Sequence, residues 1–322
     1  MDSHNIYWWN VENLFDIQDS PRRPEWLQKE LKRELKDWTQ DVLDIKLSQL
    51  VKVISKFNDS SGPDIFGLCE VENEYVVELL SDAISSAVGR TYKVLHKDTK
   101  DKRGVDIAFI YDSNKYQVDG ELFSLEIMKR NATRDVVQAT FKTEAGNELT
   151  LLGNHWPARL GGMLESEPYR IIVGETISYW IERICDRKGD MHPIVLMGDF
   201  NDQPYDRSIV DYLLSSNNKK KVIGAKNHYL YNLMYEFLSK GIGTHVYGND
   251  VAILDQFMVS KSIASDSNEY PFKTDKVEII HYPELCSGKY NTPVRFSRPS
   301  KKDYNPDGYS DHLPIKLVLT EN

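Results

Sequence analysis

Polar residues of a restricted kind recur where apolar, strand-like runs end, and this placement constrains the chain more than any other feature. The runs are short and rich in Ile, Val, Leu and aromatic residues, as is typical of buried strands. The polar residues beside them are Asn10, Glu70, Asn154, His155, Asp199, Asn201, Asp255, Asp311 and His312. A charge at the edge of a core is costly unless it is paired, hydrogen-bonded or bound to metal. Glu70 or Asn10 alone would be as well explained by an edge position facing water, but the whole set predicts one shared site.

Short strand-like runs that alternate with a few helical stretches predict an α/β protein. The periodicity indicates helices over residues 26–57, 75–88 and 168–185. Strands are predicted at residues 64–69, 92–96, 105–111, 122–127, 136–142, 148–154, 193–198, 253–259, 276–280 and 313–319. The economical arrangement is two mixed, mostly antiparallel sheets packed face to face, with helices outside and the loops of residues 260–310 on the surface. No repeat or linker divides the chain, so residues 1–322 are expected to form a single domain.

Composition excludes several classes of protein. The 322 residues carry 40 Lys plus Arg against 49 Asp plus Glu, a net charge of −9, with 40% apolar and 28% charged residues. This mix is that of a globular protein and excludes collagen-like, coiled-coil and wholly disordered chains. Three cysteines do not make a disulfide framework, and no run approaches the roughly 18 apolar residues of a membrane span. The acidic balance argues against a protein that holds nucleic acid by bulk charge alone.

The predicted site suits a hard divalent cation. Carboxylate and amide oxygens, together with waters and phosphate oxygens, are the ligands that Mg²⁺ prefers, and Mn²⁺ accepts the same ligands. The chain has no cysteine cluster and no His-Glu-x-x-His motif, so a zinc site is not expected. It also lacks Gly-x-x-x-x-Gly-Lys-Ser/Thr and Gly-x-Ser-x-Gly, which leaves little support for a P-loop or a serine nucleophile.

Seven motifs occur in the order of a known family. They are Trp9-Asn10-Val11-Glu12-Asn13-Leu14, Leu68-Cys69-Glu70-Val71-Glu72-Asn73, Arg103-Gly104-Val105-Asp106-Ile107-Ala108, Asn154-His155-Trp156-Pro157, Gly198-Asp199-Phe200-Asn201, Leu254-Asp255-Gln256-Phe257 and Ser310-Asp311-His312. With them the chain resembles the endonuclease/exonuclease/phosphatase superfamily, which includes pancreatic-type deoxyribonucleases, abasic-site endonucleases, neutral sphingomyelinases and inositol-polyphosphate 5-phosphatases. The resemblance extends over nearly the whole chain.

The resemblance implies a four-layer α/β sandwich with a metal-dependent phosphoesterase site at one end of the sheets. Matched residue by residue, Glu70 resembles the principal metal ligand, and Asn10 and Asp311 complete the set. The implied cofactor is Mg²⁺, with Mn²⁺ as an acceptable substitute.

The catalytic residues are implied in the same way. Asp199 resembles the residue that orients or deprotonates the attacking water, and Asn201 the one that binds a phosphate oxygen. His312 resembles the histidine that contacts the scissile phosphate, and Asp255 resembles the carboxylate that holds its tautomer. His155 matches a second histidine of the deoxyribonuclease and sphingomyelinase branches, whereas abasic endonucleases carry a tyrosine motif there. Asp106 is a candidate to orient His155, although a strand-edge aspartate without a catalytic role explains it as well.

Substrate contacts are less well marked in the sequence. Arg103, Asn154 and Arg159 are expected to bind substrate, with a surface salt bridge as the alternative for the two arginines. A basic segment precedes His312 and is interpreted either as a strand-binding rim, with aromatic residues for stacking, or as a solvated loop. Its basic residues are Lys289, Arg295, Arg298, Lys301 and Lys302, and its aromatic residues are Tyr290, Phe296 and Tyr304.

The function expected from these residues is a metal-dependent phosphodiesterase or nuclease. A phosphomonoesterase or a lipid phosphoesterase would share every catalytic residue, and a non-catalytic binding module on the same fold is the third alternative. Nucleic acid is the expected partner, with no obligate protein partner and a monomeric state. The N-terminus shows no signal peptide, so a cytoplasmic location is expected, with export of a trimmed mature form as the alternative.

Overall fold

The strands of the computed structural model, which describes residues 2–99, 101–127 and 134–322, form two large sheets. In chain order the strands are β1 (Asp2–Leu14), β2 (Ile65–Val71), β3 (Tyr92–His96), β4 (Asp106–Asp112), β5 (Tyr116–Val118), β6 (Phe123–Leu125), β7 (Val136–Thr143), β8 (Glu148–His155), β9 (Ile194–Asp199), β10 (Ser215–Ser216), β11 (Leu230–Asn232), β12 (His245–Tyr247), β13 (Asp250–Ala252), β14 (Asp255–Val259), β15 (Phe272–Ile279), β16 (Cys286–Ser287), β17 (Thr292–Pro293) and β18 (Ile315–Glu321). The helices are α1 (Glu25–Leu31), α2 (Gln40–Ile54), α3 (Phe57–Ser60), α4 (Glu74–Val88), α5 (Met163–Lys188), α6 (Lys219–Gly224), α7 (Tyr235–Leu238) and α8 (Lys261–Ala264), with a π-helical turn at Ser208–Tyr212 and a 3₁₀ turn at Pro283–Leu285.

Both sheets are mixed. The first sheet has the order β15-β18-β1-β2-β4-β3, in which β1 and β2 are parallel and the other neighbours antiparallel. The second sheet has the order β10-β11-β14-β9-β8-β7-β5, with β6 also beside β7. In it the pairs β8–β9 and β10–β11 are parallel, and the remaining pairs are antiparallel. The predicted α/β class with two mixed, mostly antiparallel sheets is therefore confirmed.

The two sheets pack face to face through β1, β2 and β4 of the first and β8 and β9 of the second. Gly67 lies at the closest approach, where an added Cβ would stand 2.8 Å from the Trp8 ring and 3.0 Å from Met197. A side chain at Gly67 would therefore push the sheets apart, since protein cores are close-packed. Trp8 is fully buried in this interface.

Helices cover the outer faces and complete the four layers. Helices α2 and α4 bury their apolar sides against the first sheet. Helix α5 packs Val173, Ile177 and Ile181 on Leu152 and Leu196 of the second sheet. Among the described residues, no helix is both long and apolar enough to cross a membrane.

The helix predicted over residues 26–57 is wrong as a single element. The chain forms α1, leaves the helical path, and begins α2 at Gln40. Asp37 has a φ of 66°, and the Thr39 side chain caps α2 by accepting from the Val42 N–H. Trp38 is fully buried at this break and donates its indole N–H to the Phe15 carbonyl. Burial of the large ring at the break thus replaces the continuous helix that the periodicity indicated.

Candidate active site

Three of the expected residues form one row across the second sheet. His155 ends β8, Asp199 ends β9 and Asp255 begins β14, and the backbone register pairs His155 with Asp199 and Asp199 with Asp255. The two-residue alternation of strands places them on the same face as Met197 and Phe257, which pack toward the first sheet. All three are buried. Sheet register therefore brings together residues that are far apart in the sequence.

The first sheet supplies Asn10 and Glu70 to the same end of the sandwich. Asn10 donates its side-chain N–H to Asp199 Oδ2 over 3.2 Å. Glu70 has a φ of 66° and lies where the pairing of β2 with both neighbours shifts register. A left-handed conformation is uncommon for a residue with a side chain and is concentrated at functional sites. This bulge directs Glu70 toward His155, whose Nε2 lies 3.9 Å from Glu70 Oε1.

His312 and Asp255 form a buried pair. His312 Nδ1 lies 2.7 Å from Asp255 Oδ2, and His312 Nε2 faces Asp199 Oδ2 at 3.9 Å. Burial opposes protonation of His312, but Asp255 and Asp199 outweigh it and raise the pKa of the imidazole well above its ordinary value. The two carboxylates thus favour the protonated form of His312, with Nδ1 directed at Asp255 and Nε2 at the space beside Asp199.

The carboxyl of Asp199 lies at the centre of the site. Burial and the charge of Asp255 raise its pKa, although His312, the Asn201 N–H and Asn10 oppose the shift. A carboxylate with a raised pKa is a stronger base, and this is the property that a proton acceptor needs near neutral pH.

Two arginines set the charge around Glu70. Arg103 donates to Glu70 Oε1 over 2.9 Å, and the buried Arg134 donates to the Trp156 carbonyl. Burial opposes ionisation of Glu70, but Arg103 and Arg134 outweigh it and lower the pKa of the carboxyl. Burial, with the same two charges, lowers the pKa of His155 well below its ordinary value. Glu70 is therefore ionised and His155 neutral at physiological pH.

Asn201 is held by the loop that follows β9. Its backbone N–H donates to Asp199 Oδ1, and its side chain donates to the Trp156 carbonyl over 3.0 Å. Arg159 donates to the Asn201 carbonyl and is also paired with Asp202 and Asp206. The structure thus gives Arg159 a bracing position behind Asn201, with its guanidinium already engaged by carboxylates.

Asp311 lies at the half-open edge of the site beside Arg295. Arg295 Nη2 stands 3.6 Å from Asp311 and 2.7 Å from Glu12, which also accepts from the Phe296 N–H. Phe296 itself is fully buried, and its ring is not available for stacking on a substrate. Of the other basic residues in this segment, two pair with Glu34, namely Arg298 and Lys301. The segment is therefore a salt-bridged loop from which Arg295 alone among these three contacts a site residue.

The structure does not bring Asn154 and Asp106 to the site. Asn154 is fully buried on the opposite face of β8 from His155, where its side chain donates to the Met197 carbonyl. On β4, Ile107 faces the second sheet and would contact a side chain at Gly153, so its neighbour Asp106 points to the outer face. His155 Nδ1 accordingly has no hydrogen-bond partner among the described residues. Strand alternation thus gives no support to the expected roles of Asn154 in substrate binding and of Asp106 in orienting His155, which stay predictions.

Several residues at the site were not singled out from the sequence as functional. Trp8 donates its indole N–H to Asp255 Oδ1, and Trp9 donates to the His312 carbonyl. The hydroxyl of Thr244 accepts from the Asp255 N–H. Trp8 shares a strand face with Asn10, two residues away, so the alternation was a usable signal for it. Arg134 and Thr244 carried no such signal because their contacts depend on loop conformation.

The donor set fits a hard divalent cation. Asn10, Glu70 and Asp311 present amide and carboxylate oxygens, which are the ligands of Mg²⁺ and Mn²⁺. The ligand atoms of Asp199, Asp255 and His312 also lie within 4.8 Å of one another.

Comparison with solved structures shows the same fold at low sequence identity. A mannosyl-6-phosphatase from Bacteroides thetaiotaomicron is 17% identical, with 98% of this chain and 99% of that chain covered and a TM-score of 0.58. The TDP2 of D. rerio, in complex with a single-stranded DNA product, is 13% identical, with 99% and 100% covered and a TM-score of 0.55. ANGEL2, described as a 2',3'-cyclic phosphatase, is 13% identical, with 98% and 95% covered and a TM-score of 0.60.

A comparison of the sequence with proteins of curated function finds no match. A comparison with family models matches residues 5–321 to the model described as the endonuclease/exonuclease/phosphatase family. That match includes every motif from Asn10 to His312 in one continuous span. The chain therefore belongs to the endonuclease/exonuclease/phosphatase family.

Proposed function

We propose that the protein is a metal-dependent phosphodiesterase that hydrolyses nucleic acid. The observation that carries the proposal is the cluster of Asp199, Asp255 and His312, in which His312 Nε2 lies 3.9 Å from Asp199 Oδ2 and the surroundings raise the pKa of both groups. A base for the attacking water and a hydrogen-bond donor for the phosphoryl group, next to each other in one site, are what attack of water on a phosphodiester uses.

Each residue of the site has its own role in the proposed reaction. Asp199 accepts the proton of the attacking water, and Asn10 and the Asn201 N–H hold its carboxylate in place. His312 donates a hydrogen bond to the phosphoryl group or a proton to the leaving oxygen, because Asp255 fixes its other nitrogen. When bound at Asn10, Glu70 and Asp311, Mg²⁺ or Mn²⁺ supplies charge neutralisation at the phosphate. Arg103 contributes a second positive charge at the same edge.

The rim of the site supports a nucleic acid substrate. Tyr247 is 81% exposed at the end of β12, and it shares a strand face with His245, whose ring centroid lies 4.8 Å from that of His312. Two residues of a strand span about 7 Å, so Tyr247 lies one strand repeat beyond the histidine that contacts His312. Aromatic rings beside a cationic edge are typical of sites that bind single strands by base stacking.

Hydrolysis of bis-p-nitrophenyl phosphate, with Mg²⁺, with Mn²⁺ and with EDTA, tests the reaction class. We expect turnover that requires the metal and is lost in His312→Gln. A substrate panel of plasmid DNA, single-stranded DNA, RNA, sphingomyelin and inositol phosphates then tests the substrate class. Faster hydrolysis of monoesters would assign a phosphomonoesterase, and faster hydrolysis of sphingomyelin a lipid phosphodiesterase. Absence of any metal-dependent turnover would leave a binding module.

A further inference from the structure

A second cluster of potential metal ligands lies outside the proposed active site. His96 ends β3, Asp106 begins β4, and Asp98 follows His96 on the loop between them. One ligand atom from each residue lies within 4.8 Å of the other two. Because Ile107 faces the second sheet, the cluster occupies the outer face of the first sheet, on its edge strand β3. The first sheet thus separates these three residues from Asp199, Asp255 and His312 of the proposed active site.

The side chain of His96 is buried, and one of its ring nitrogens lacks a hydrogen-bond partner among the described residues. Its side chain is 2% exposed, and Nε2 has no hydrogen-bond partner among the described residues. Nε2 instead faces Asp106 Oδ2 at 3.8 Å, which is too long for a hydrogen bond. Nearly all buried ring nitrogens in proteins have a partner, because an unpaired one loses its contact with water and gains nothing. The unpaired Nε2 beside the buried carboxylate of Asp106 is therefore a position at which a ligand would satisfy both groups.

Asp106 is the second buried side chain of this cluster. It is 4% exposed and accepts a hydrogen bond from the Thr99 hydroxyl. Within the described part of the chain, no lysine or arginine lies within 4 Å of its carboxylate. Buried carboxylates are otherwise paired with cations or bound to metal.

We propose that His96, Asp98 and Asp106 bind a second divalent cation, a transition metal such as Zn²⁺ or Mn²⁺. One cation occupies the free lone pair of His96 and pairs the buried carboxylate of Asp106. An imidazole ligand favours transition metals over Mg²⁺. Asp98 Oδ1 lies 3.9 Å from the other ring nitrogen, Nδ1, so the 79%-exposed side chain of Asp98 has to turn toward Nε2 to complete the ligand set.

The site has a structural consequence for the loop that reaches the active site. Asp101 Oδ1 accepts from the Arg103 N–H, and Arg103 donates to Glu70. A cation between His96, Asp98 and Asp106 holds both ends of the β3–β4 connection, from which Arg103 extends. The proposal does not depend on the reaction that the protein catalyses, because metal binding can be measured without a substrate.

Titration of the full chain with Co²⁺, followed by its visible absorption and by calorimetry, tests the proposal. The titration is made in a Glu70→Gln background, which weakens the proposed catalytic metal site. We expect one equivalent of Co²⁺ to remain bound there, with an absorption spectrum that includes a nitrogen ligand. His96→Gln and Asp98→Asn are each expected to weaken this binding at least tenfold. His192→Gln, which alters another buried histidine bonded to Thr150, is the matched control and should bind as the background does.

Two variants are used because His96→Gln alters a buried side chain and Asp98→Asn an exposed one. Asp98 is exposed and its substitution leaves the core intact, so it reports on the ligand even where His96→Gln unfolds. Equal affinity and equal spectra in Asp98→Asn and in the background would overturn the proposal. Loss of all Co²⁺ binding on Glu70→Gln alone would also overturn it, because that result would place the metal at the proposed catalytic site.

Discussion

The indole N–H of Trp8 donates to Asp255 Oδ1 over 3.1 Å, from the first sheet to the second. The other oxygen of Asp255 holds His312 Nδ1 at 2.7 Å, so one carboxylate joins the tryptophan of one sheet to the histidine of the site. Trp8 also packs against Gly67 at the closest approach of the sheets. The packing of the core and the geometry of the proposed catalytic pair are therefore set by the same side chain.

Trp8→Phe is expected to lower kcat roughly tenfold with little change in KM. A hydrogen bond to a charged group is worth about 1.5–3 kcal/mol, and its loss leaves Asp255 less firmly oriented. Trp38→Phe is the matched control, because Trp38 is also fully buried and donates to a backbone carbonyl away from the site. Steady-state kinetics of both variants check this. A Trp8→Phe enzyme with the kcat of Trp38→Phe would contradict the positioning role.

Asp199→Asn and His312→Gln are each expected to lower kcat by about 10² or more while the protein stays folded. Each removes a group that transfers a proton or stabilises charge in the reaction. Circular dichroism and turnover of a phosphodiester, measured side by side, check the prediction. His192→Gln serves as the control for a buried histidine away from the site. Near-wild-type turnover in folded His312→Gln would remove the histidine from the mechanism.

Arg103→Gln is expected to raise KM for a phosphodiester about tenfold and to change kcat less. Arg103 is partly exposed beside Glu70 and is placed to pair with a phosphate oxygen. Arg103→Lys should restore only part of the affinity, because a lysine does not reproduce the fork of the guanidinium. Arg90→Gln, which breaks pairs with Asp64 and Asp112 far from the site, should lower stability and leave KM unchanged. An unchanged KM in Arg103→Gln would show that its charge acts on Glu70 alone.

Lys46→Met is expected to lower both the free energy of unfolding, by about 2–4 kcal/mol, and kcat. Lys46 is fully buried in α2 and donates to the Tyr309 carbonyl, next to the segment that carries Asp311 and His312. Its removal leaves Glu12 buried with less compensating charge. Lys261→Met is the matched control, since Lys261 is also buried and donates to a backbone carbonyl, that of Ala225. Urea unfolding and kcat should separate the two, with kcat falling in Lys46→Met only.

We expect protonation of His192 in the unfolded chain to lower the free energy of unfolding in mild acid. Burial, with Lys188 nearby, lowers the pKa of His192 to about 4, whereas an unfolded histidine titrates near about 6.5. As pH falls through this window, the unfolded chain binds a proton that the folded chain does not, so the free energy of unfolding decreases. The unfolded chain of His192→Gln does not bind this proton. Between pH 7 and pH 4.5 we therefore expect its free energy of unfolding to fall by about 2–3 kcal/mol less than that of the wild type. Urea unfolding at both pH values checks this, and parallel losses would contradict it.

The sequence by itself was sufficient for the α/β class and for most strands of the two large sheets. Apolar runs that end in Glu70 or Asp199 predicted strands whose polar ends meet, because a strand has a two-residue period and a short, recognisable length. The family motifs added the order of these ends along the chain. Helix α4 was also predicted within one residue at its start, since an Asn cap and a C-terminal glycine bracket its periodic pattern.

Tertiary structure decided which face each residue occupies and what lies opposite. Asn154 and His155 are neighbours in sequence, yet one faces outward and the other faces the site, because register assigns alternate residues to opposite sides of a sheet. The sequence carries no signal for the bond from Trp8 to Asp255 or for the contact of Lys46 with Tyr309, since these join residues that only packing brings together. The break before Trp38 has the same origin, because burial of a large ring outweighs a helical periodicity that is worth little per residue. Local pattern thus determined the elements and the chemistry at their ends, while packing between sheets determined the geometry in which that chemistry can act.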